Sequence, residues 1–160
     1  MIGDLPIAGG VLSRAGQQDA AELLVLQRCC WVDEAIANDT LDIAALHESL
    51  DDVRAWLDEW DTWCVRVDSR LIAAVRARRE GSAWDIGRLM VAPDLAGRGL
   101  GGWLLRLAES RAPAEVDSVM LFTGAQSTRN IAIYEHAGFT RSAEPAPPNA
   151  VRLEKRLARD

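Results

Sequence analysis

The chain has 160 residues, 49% of them hydrophobic and 26% charged, a balance that fits one globular domain with its own core and excludes a disordered chain. Its longest stretch without Asp, Glu, Lys or Arg, Ser118–Thr128, is 11 residues, too short to cross a bilayer, and the N-terminus shows no basic segment leading into an apolar run. Residues 1–60 carry a net charge of −9 and residues 61–160 a net charge of +3, so the first part excludes a general nucleic-acid surface while the second suits an anionic cofactor.

Gly10–Arg14 reads as a short first strand. Asp19-Ala20-Ala21-Glu22 has the form of a capping box, and Leu23, Leu26 and Cys30 follow at helical spacing, which predicts a helix over about 20–37. Ser49 is placed to cap a second helix, with Leu46, Leu50, Val53 and Leu57 repeating at intervals of four, three and four. The period then changes to two: Trp63, Val65 and Val67 alternate, Asp68-Ser69-Arg70 turns, and Leu71–Ala77 returns, a hairpin. Trp84–Val91 predicts a third strand of that sheet, Gly101–Arg111 a helix stopped by Pro113, Val116–Thr123 a buried strand, and Ser127–Ala137 a helix ended by Gly138. Phe139–Ser142 and Val151–Leu157 are candidate last strands, separated by a proline-rich loop over Ser142–Ala150. The order predicts an α/β fold, a single mixed sheet flanked by helices, rather than a regular βαβ repeat.

Cys29, Cys30 and Cys64 are odd in number and two are adjacent, which does not describe a disulfide framework. His47 and His136 lie far apart, no Cys/His ligand spacing is present, and no metal site is expected. A reduced, cytoplasmic compartment is the expectation.

The informative segment is Val91-Ala92-Pro93-Asp94-Leu95-Ala96-Gly97-Arg98-Gly99-Leu100-Gly101-Gly102. Alternating glycines between a strand and a helix expose backbone N–H groups, and the helix N-terminus adds a partial positive charge, together a cradle for phosphate or pyrophosphate. Arg98 adds a charge-assisted contact. Gly97, Gly99 and Gly102 match a dinucleotide-binding spacing formally, but four residues separate them from the strand, and the next strand ends without an acid. A Walker-type loop is absent, and the chain's one lysine is Lys155.

Ala96-Gly97-Arg98-Gly99-Leu100-Gly101 resembles the signature Arg/Gln-x-x-Gly-x-Gly/Ala of the GCN5-related N-acetyltransferase (GNAT) family, with Ala96 where Arg or Gln is usual. Tyr134-Glu135-His136-Ala137-Gly138-Phe139 is similar to the family's Tyr-x-x-x-Gly-Phe helix end, with Ser127 replacing the usual upstream Asn and Asn130 one turn before the tyrosine. The resemblance implies a mostly antiparallel sheet over the whole 1–160 domain, with acceptor-side helices over about 19–60 and an acyl-CoA-binding core over about 62–157. It implies acetyl-CoA as cofactor and an amine acceptor. Leu89, Met90 and Val91 would align the pantetheine arm, and Ala96, Gly97, Arg98, Gly99, Leu100, Gly101, Gly102 and Asn130 would complete the cofactor site.

Acyl transfer to an amine needs a positioned thioester, a group that takes the amine proton and a group that protonates the leaving thiolate. Tyr134, the chain's only tyrosine, is the candidate acid and Asp85 the candidate base. Cys64 sits within a strand with no adjacent base, and Cys29 and Cys30 read as helix core, so a covalent cysteine route is not expected. On the acceptor side stand Trp31, Glu34, Asn38, Asp39, Trp56 and Trp60. Carboxylates with aromatics suit a cationic amine, which the acidic first sixty residues would attract. The enzyme is expected to be a monomer or homodimer that takes a small-molecule or protein amine, without nucleic-acid or membrane partners, and the competing reading is a non-catalytic acyl-CoA-binding or regulatory module of the same fold.

Overall fold

The computed structural model describes residues 2–158. Its strands are β1 (Val11–Arg14), β2 (Asp61–Val67), β3 (Arg70–Glu80), β4 (Ala83–Val91), β5 (Ser118–Gly124), β6 (Thr140–Arg141) and β7 (Ala150–Arg156), and its helices α1 (Ala20–Ala37), α2 (Ala44–His47), α3 (Leu50–Glu59), α4 (Leu100–Ser110) and α5 (Thr128–His136). One sheet runs in the order β1-β2-β3-β4-β5-β7-β6, antiparallel throughout except for the parallel β4–β5 pair. Each face carries its own core. Trp84, Ile86, Val119 and Leu153 pack on α4, while Ala74 and Met90 pack with Leu23 of α1 and Val53 and Trp56 of α3. No helix among the described residues is long and apolar enough to cross a membrane.

Local chemistry explains most element boundaries. The β2–β3 hairpin closes through Asp68 (φ 47°) and Ser69 (φ 71°), the paired positive φ values whose twist matches that of the strands. Ser49 caps α3 as expected: its Oγ accepts from the Asp52 amide at 3.2 Å, and the Asp52 carboxylate accepts from the Ser49 amide at 2.7 Å.

Two expectations are corrected. The stripe that joined Leu46 to Leu50 is cut at Glu48–Ser49, because the extended backbone of the Ser49 cap cannot sit inside a helix, and Leu46 belongs to the separate four-residue α2. Asp19 does not cap α1. A 3-10 turn over Gln17–Asp19 leads into the helix, and the Asp19 carboxylate accepts from the Gly16 amide at 2.9 Å and pairs with Arg66 at 2.6 Å, beside a 2.8 Å pair between Arg66 and Glu22. A guanidinium on β2 outcompetes the helix amides for that carboxylate.

The sheet opens where the site lies. β4 and β5 pair only over Ala83–Asp85 and Ser118–Met120; Ile86–Val91 and Leu121–Gly124 continue without pairing to each other. On its other edge β4 carries a bulge. Between the pairs Ala74–Met90 and Arg76–Gly87, β3 supplies Val75 alone while β4 supplies Arg88 and Leu89, and Arg88 takes up the extra residue at φ 46°. The bulge turns β4 over. Before it Trp84 and Ile86 face α4; after it Leu89 and Val91 do, and Met90 faces α1.

Candidate active site

The chain leaves β4 through a 3-10 turn over Pro93–Leu95, fastened by two 2.8 Å bonds from Arg70 to Asp94, and enters α4 at Gly99. Gly97 (φ 78°) and Gly99 (φ 84°) adopt the left-handed backbone that other residues resist, and a Cβ on either would meet only open space. Among the described residues, the amides of Gly97 to Gly102 find no hydrogen-bond acceptor, backbone or side chain. Six consecutive donors thus line the positive end of the α4 dipole, an arrangement that binds an anion. Ala96 and Arg98 are exposed at this loop, whereas Leu100 is buried in the core and offers only its amide. Leu89 of β4 lies beneath the first turn of α4, its Cδ2 3.7 Å from where a Gly101 Cβ would stand. The glycine cradle and the unpaired edge of β4 are therefore contiguous. Met90 is buried against α1, so this segment offers its backbone rather than the methionine side chain to a ligand.

On the far side of the opening stands α5. Tyr134 meets Phe139 edge to face at 6.1 Å and packs against the α4-side core. Burial, aided by the negative charge of Glu34, pushes its phenol up to about 12, so it holds its proton throughout the neutral range. Its Oη has no hydrogen-bond partner among the described residues.

Glu34, Asn38 and Asn130 are brought together, but with one another. Glu34 accepts from Ser127 Oγ at 2.8 Å and from Asn130 Nδ2 at 2.5 Å; Asn38 Nδ2 donates to the Glu34 carbonyl and to Ser127 Oγ, both at 2.9 Å. Asn38 Oδ1 accepts from the Gln126 amide at 3.0 Å. This network ties the end of α1 to the β5–α5 junction. Asn130, expected to reach the cofactor, turns its amide to Glu34, and Glu34, expected to face the acceptor, is occupied by these donors. Gly124 completes the joint: a Cβ there would stand 2.5 Å from Asn38 Nδ2 and 2.7 Å from Ser127 Oγ. Sequence reading singled out neither Gly124 nor Gln126, and no pattern marks them. Asp39, just past the helix end, takes φ 47° in the turn.

Asp85 occupies the last β4–β5 pair before the opening, on the face opposite Trp84, whose indole donates to the Ala108 carbonyl of α4 at 2.8 Å. Asp85 is 8% exposed, and its carboxylate makes no hydrogen bond among the described residues. Burial lifts its carboxyl to about 6, a rise restrained by the charges of Arg78, directly across on β3, and Arg76. Trp56 and Trp60 do share a face, and they use it to clamp Arg76: its guanidinium lies 4.6 Å from one ring and 4.0 Å from the other. Arg78 stacks on Trp60 at 4.3 Å, and Arg88, in the bulge, lies over Trp31 at 5.4 Å while paired with Glu48. Where the sequence suggests an acidic lining, arginines surround Asp85. They were missed because Arg76 and Arg88 read as single charges within strands and Arg78 as part of a charged strand end, and only the packing of α1 and α3 reveals what they face.

Cys30 and Cys64 hold their protons. Burial pushes Cys30 up to about 11, and its thiol donates to the Val91 carbonyl at 3.2 Å; Cys64 is buried and raised for the same reason.

The model of the Acetyltransferase (GNAT) family matches residues 22–139. No curated protein gives a significant match. Among solved structures, an acetyltransferase from Streptococcus agalactiae 2603 superposes with a TM-score of 0.75 at 18% identity, covering 94% of this chain and 100% of the other. The PaiA N-acetyltransferase of Thermoplasma acidophilum in complex with coenzyme A gives 0.67 at 15% identity, over 92% and 99% of the two chains. YncA of Salmonella typhimurium, solved with its cofactor acetyl-CoA, gives 0.70 at 14% identity over 96% of each. At these identities the likeness is one of fold.

Proposed function

We propose, from the premise that this chain belongs to the Acetyltransferase (GNAT) family, that it moves an acetyl group from acetyl-CoA to an amine by direct attack in a ternary complex. The observation that carries the reading is the run of six unpartnered amides, Gly97–Gly102, lying against the unpaired edge of β4.

Acetyl-CoA supplies the acetyl group as a thioester, already activated toward an amine. The amides of Gly97–Gly102 and the positive end of α4 would hold its pyrophosphate, and Arg98 supplies a full charge that Ala96 lacks. The edge of Leu89–Val91 that lacks a β5 partner would offer strand-like hydrogen bonds to the amides of the pantetheine arm, the Val91 carbonyl already accepting from the Cys30 thiol. Asp85, titrating near 6, is ionised at neutral pH yet basic enough to accept a proton from the incoming amine, directly or through water. Tyr134 Oη keeps its proton at neutral pH and is free to donate it to the departing sulfur. Protonated, hydrogen-bonded or buried thiols give no support to a cysteine-linked route. Three free cysteines support a reduced, cytoplasmic setting.

The test combines binding with turnover. Acetyl-CoA should raise the melting temperature, because it binds the folded state, and free thiol should be released when a panel of amines is added. Gly101→Glu places a carboxylate among the amides without a steric obstacle and should abolish both. Stabilisation without thiol release from any amine would leave the non-catalytic module. Stabilisation by NADH or ATP but not by acetyl-CoA would remove the acyl-CoA reading altogether.

A further inference from the structure

Arg76 is a buried cation in search of an anion. It is 9% exposed, its Nε and Nη1 are fully enclosed, and neither meets an acceptor. The two indoles that clamp it offset part of the cost of burying its charge, but their π faces satisfy none of its fork of N–H donors. The neighbouring carboxylates do not either. Glu48 is held by Arg88 and by Gln27, and Asp85 bonds to nothing. Burial and the positive charge of Arg88 pull the Arg76 guanidinium down to about 9, the mark of a cation short of counter-charge.

Its place on the sheet says what would relieve it. Arg76 pairs with Gly87 across β3–β4, and its Nε lies 3.5 Å from where a Gly87 Cβ would stand, so the guanidinium hangs over bare backbone. Asp85 is two residues along the same face, roughly 7 Å away by strand rise. Beyond Asp85, β4 and β5 are unpaired, and the face continues to Phe122 and Arg152 on β5 and β7. A small zwitterion spans such an interval, with one end on a planar fork made for carboxylates and the other on an acid.

We infer that, if the acetyl-transfer reading holds, the acceptor is an amine bearing a carboxylate, with the carboxylate held by Arg76 between Trp56 and Trp60 and the amine over Asp85. This reverses the cationic preference suggested by the acidic first sixty residues. The acids there that turn inward, Asp19, Glu34 and Glu48, are occupied by partners, while Asp51, Asp58 and Glu59 are exposed.

Trp56 and Trp60 report the site directly. L-α-Amino acids, each paired with its amide and its decarboxylated amine, are titrated against tryptophan fluorescence in the wild type and in Arg76→Met. The expected result is saturable quenching by a carboxylate ligand that binds about 10–100-fold more tightly than its amide. Arg76→Met erases that difference while keeping the acetyl-CoA shift in melting temperature, and Arg76→Lys, a charge without a fork, recovers part of it. The wild-type comparison of acid with amide needs no variant, so misfolding of Arg76→Met does not protect the inference. Equal binding of acid and amide, tighter binding of the decarboxylated amine, or a preference that survives Arg76→Met overturns it. Carboxylate binding through Arg76 in a protein that acetyl-CoA does not stabilise keeps the anion site and removes acetyl transfer.

Discussion

Tyr134 and Asp85 have complementary proton affinities for opposite reasons of charge but one reason of place: both are withdrawn from solvent, Asp85 almost wholly and Tyr134 in part. A phenol pushed up to about 12 donates and does not lose its proton to solvent; a carboxyl lifted to about 6 becomes a base near neutrality. Tyr134→Phe should cut kcat by roughly 10²-fold and leave acetyl-CoA affinity unchanged, checked by thiol-release kinetics beside calorimetric titration. For Asp85 the sign works against stability. A carboxyl whose folded value lies above its unfolded value of 3.8 contributes stability below that value, and the contribution is lost as pH rises through 6. Asp85→Asn should therefore gain on the wild type between pH 4 and 7 in urea unfolding, by roughly 3 kcal/mol for a shift of this size. The same variant should lose the acidic limb near pH 6 in kcat/KM; a limb that survives assigns it to another group. Both residues were legible in sequence as candidates, Tyr134 by its Tyr-x-x-x-Gly-Phe setting and Asp85 by its distance from Val91. Arg76 was not. A single arginine between Val75 and Ala77 reads as a strand residue, and its isolation arises only when Trp56 and Trp60 of another element fold over it.

At the scale of elements, the joint between α1 and α5 is made of polar groups packed without slack. Gly124→Ala would place a methyl 2.5 Å from Asn38 Nδ2, so Asn38 must leave both Ser127 and Glu34. A loss of about 1–3 kcal/mol is expected from the unpaired groups. Asn38→Ala removes the obstructing amide, so in the double variant the second change should cost much less than it does alone, a coupling that a double-mutant cycle in urea measures. Additive losses would show that the glycine matters only for its backbone. Periodicity found the helices and strands themselves, and Ser49 was legible as a cap because its partner lies three residues away. Asp19 obeys the same local rule and breaks it, since Arg66 arrives from β2, 47 residues later.

Over the whole molecule, two sheet halves are joined by three residue pairs of β4 and β5. Strand content could be read from the sequence, but an opening could not: Ile86–Val91 and Leu121–Thr123 are as apolar as paired strands, and unpairing leaves no trace in a hydropathy pattern. An arrangement so narrowly joined should open there first. Hydrogen exchange is expected to show the β5–β7 amides exchanging through a lower-energy opening than those of β2–β3, with acetyl-CoA raising protection on both edges of the gap. Gly101→Glu should keep the first pattern and lose the ligand's effect. Uniform protection across both halves in the free protein would mean that the side-chain cores, not the ladder, set cooperativity.

The bulge at Arg88 also decides which changes of chain length this strand tolerates. Side chains along a strand obey a parity, and one extra residue inverts it. Losing Arg88 alone would iron out the bulge and keep every remaining side chain on its present face, Leu89 and Val91 toward α4 and Met90 toward α1. Losing Arg88 and Leu89 together would exchange insiders for outsiders, turning Met90 toward α4 and Val91 toward α1. At the bulge a single deletion should therefore be accepted and a double one refused, a rule of counting rather than of which amino acids are lost.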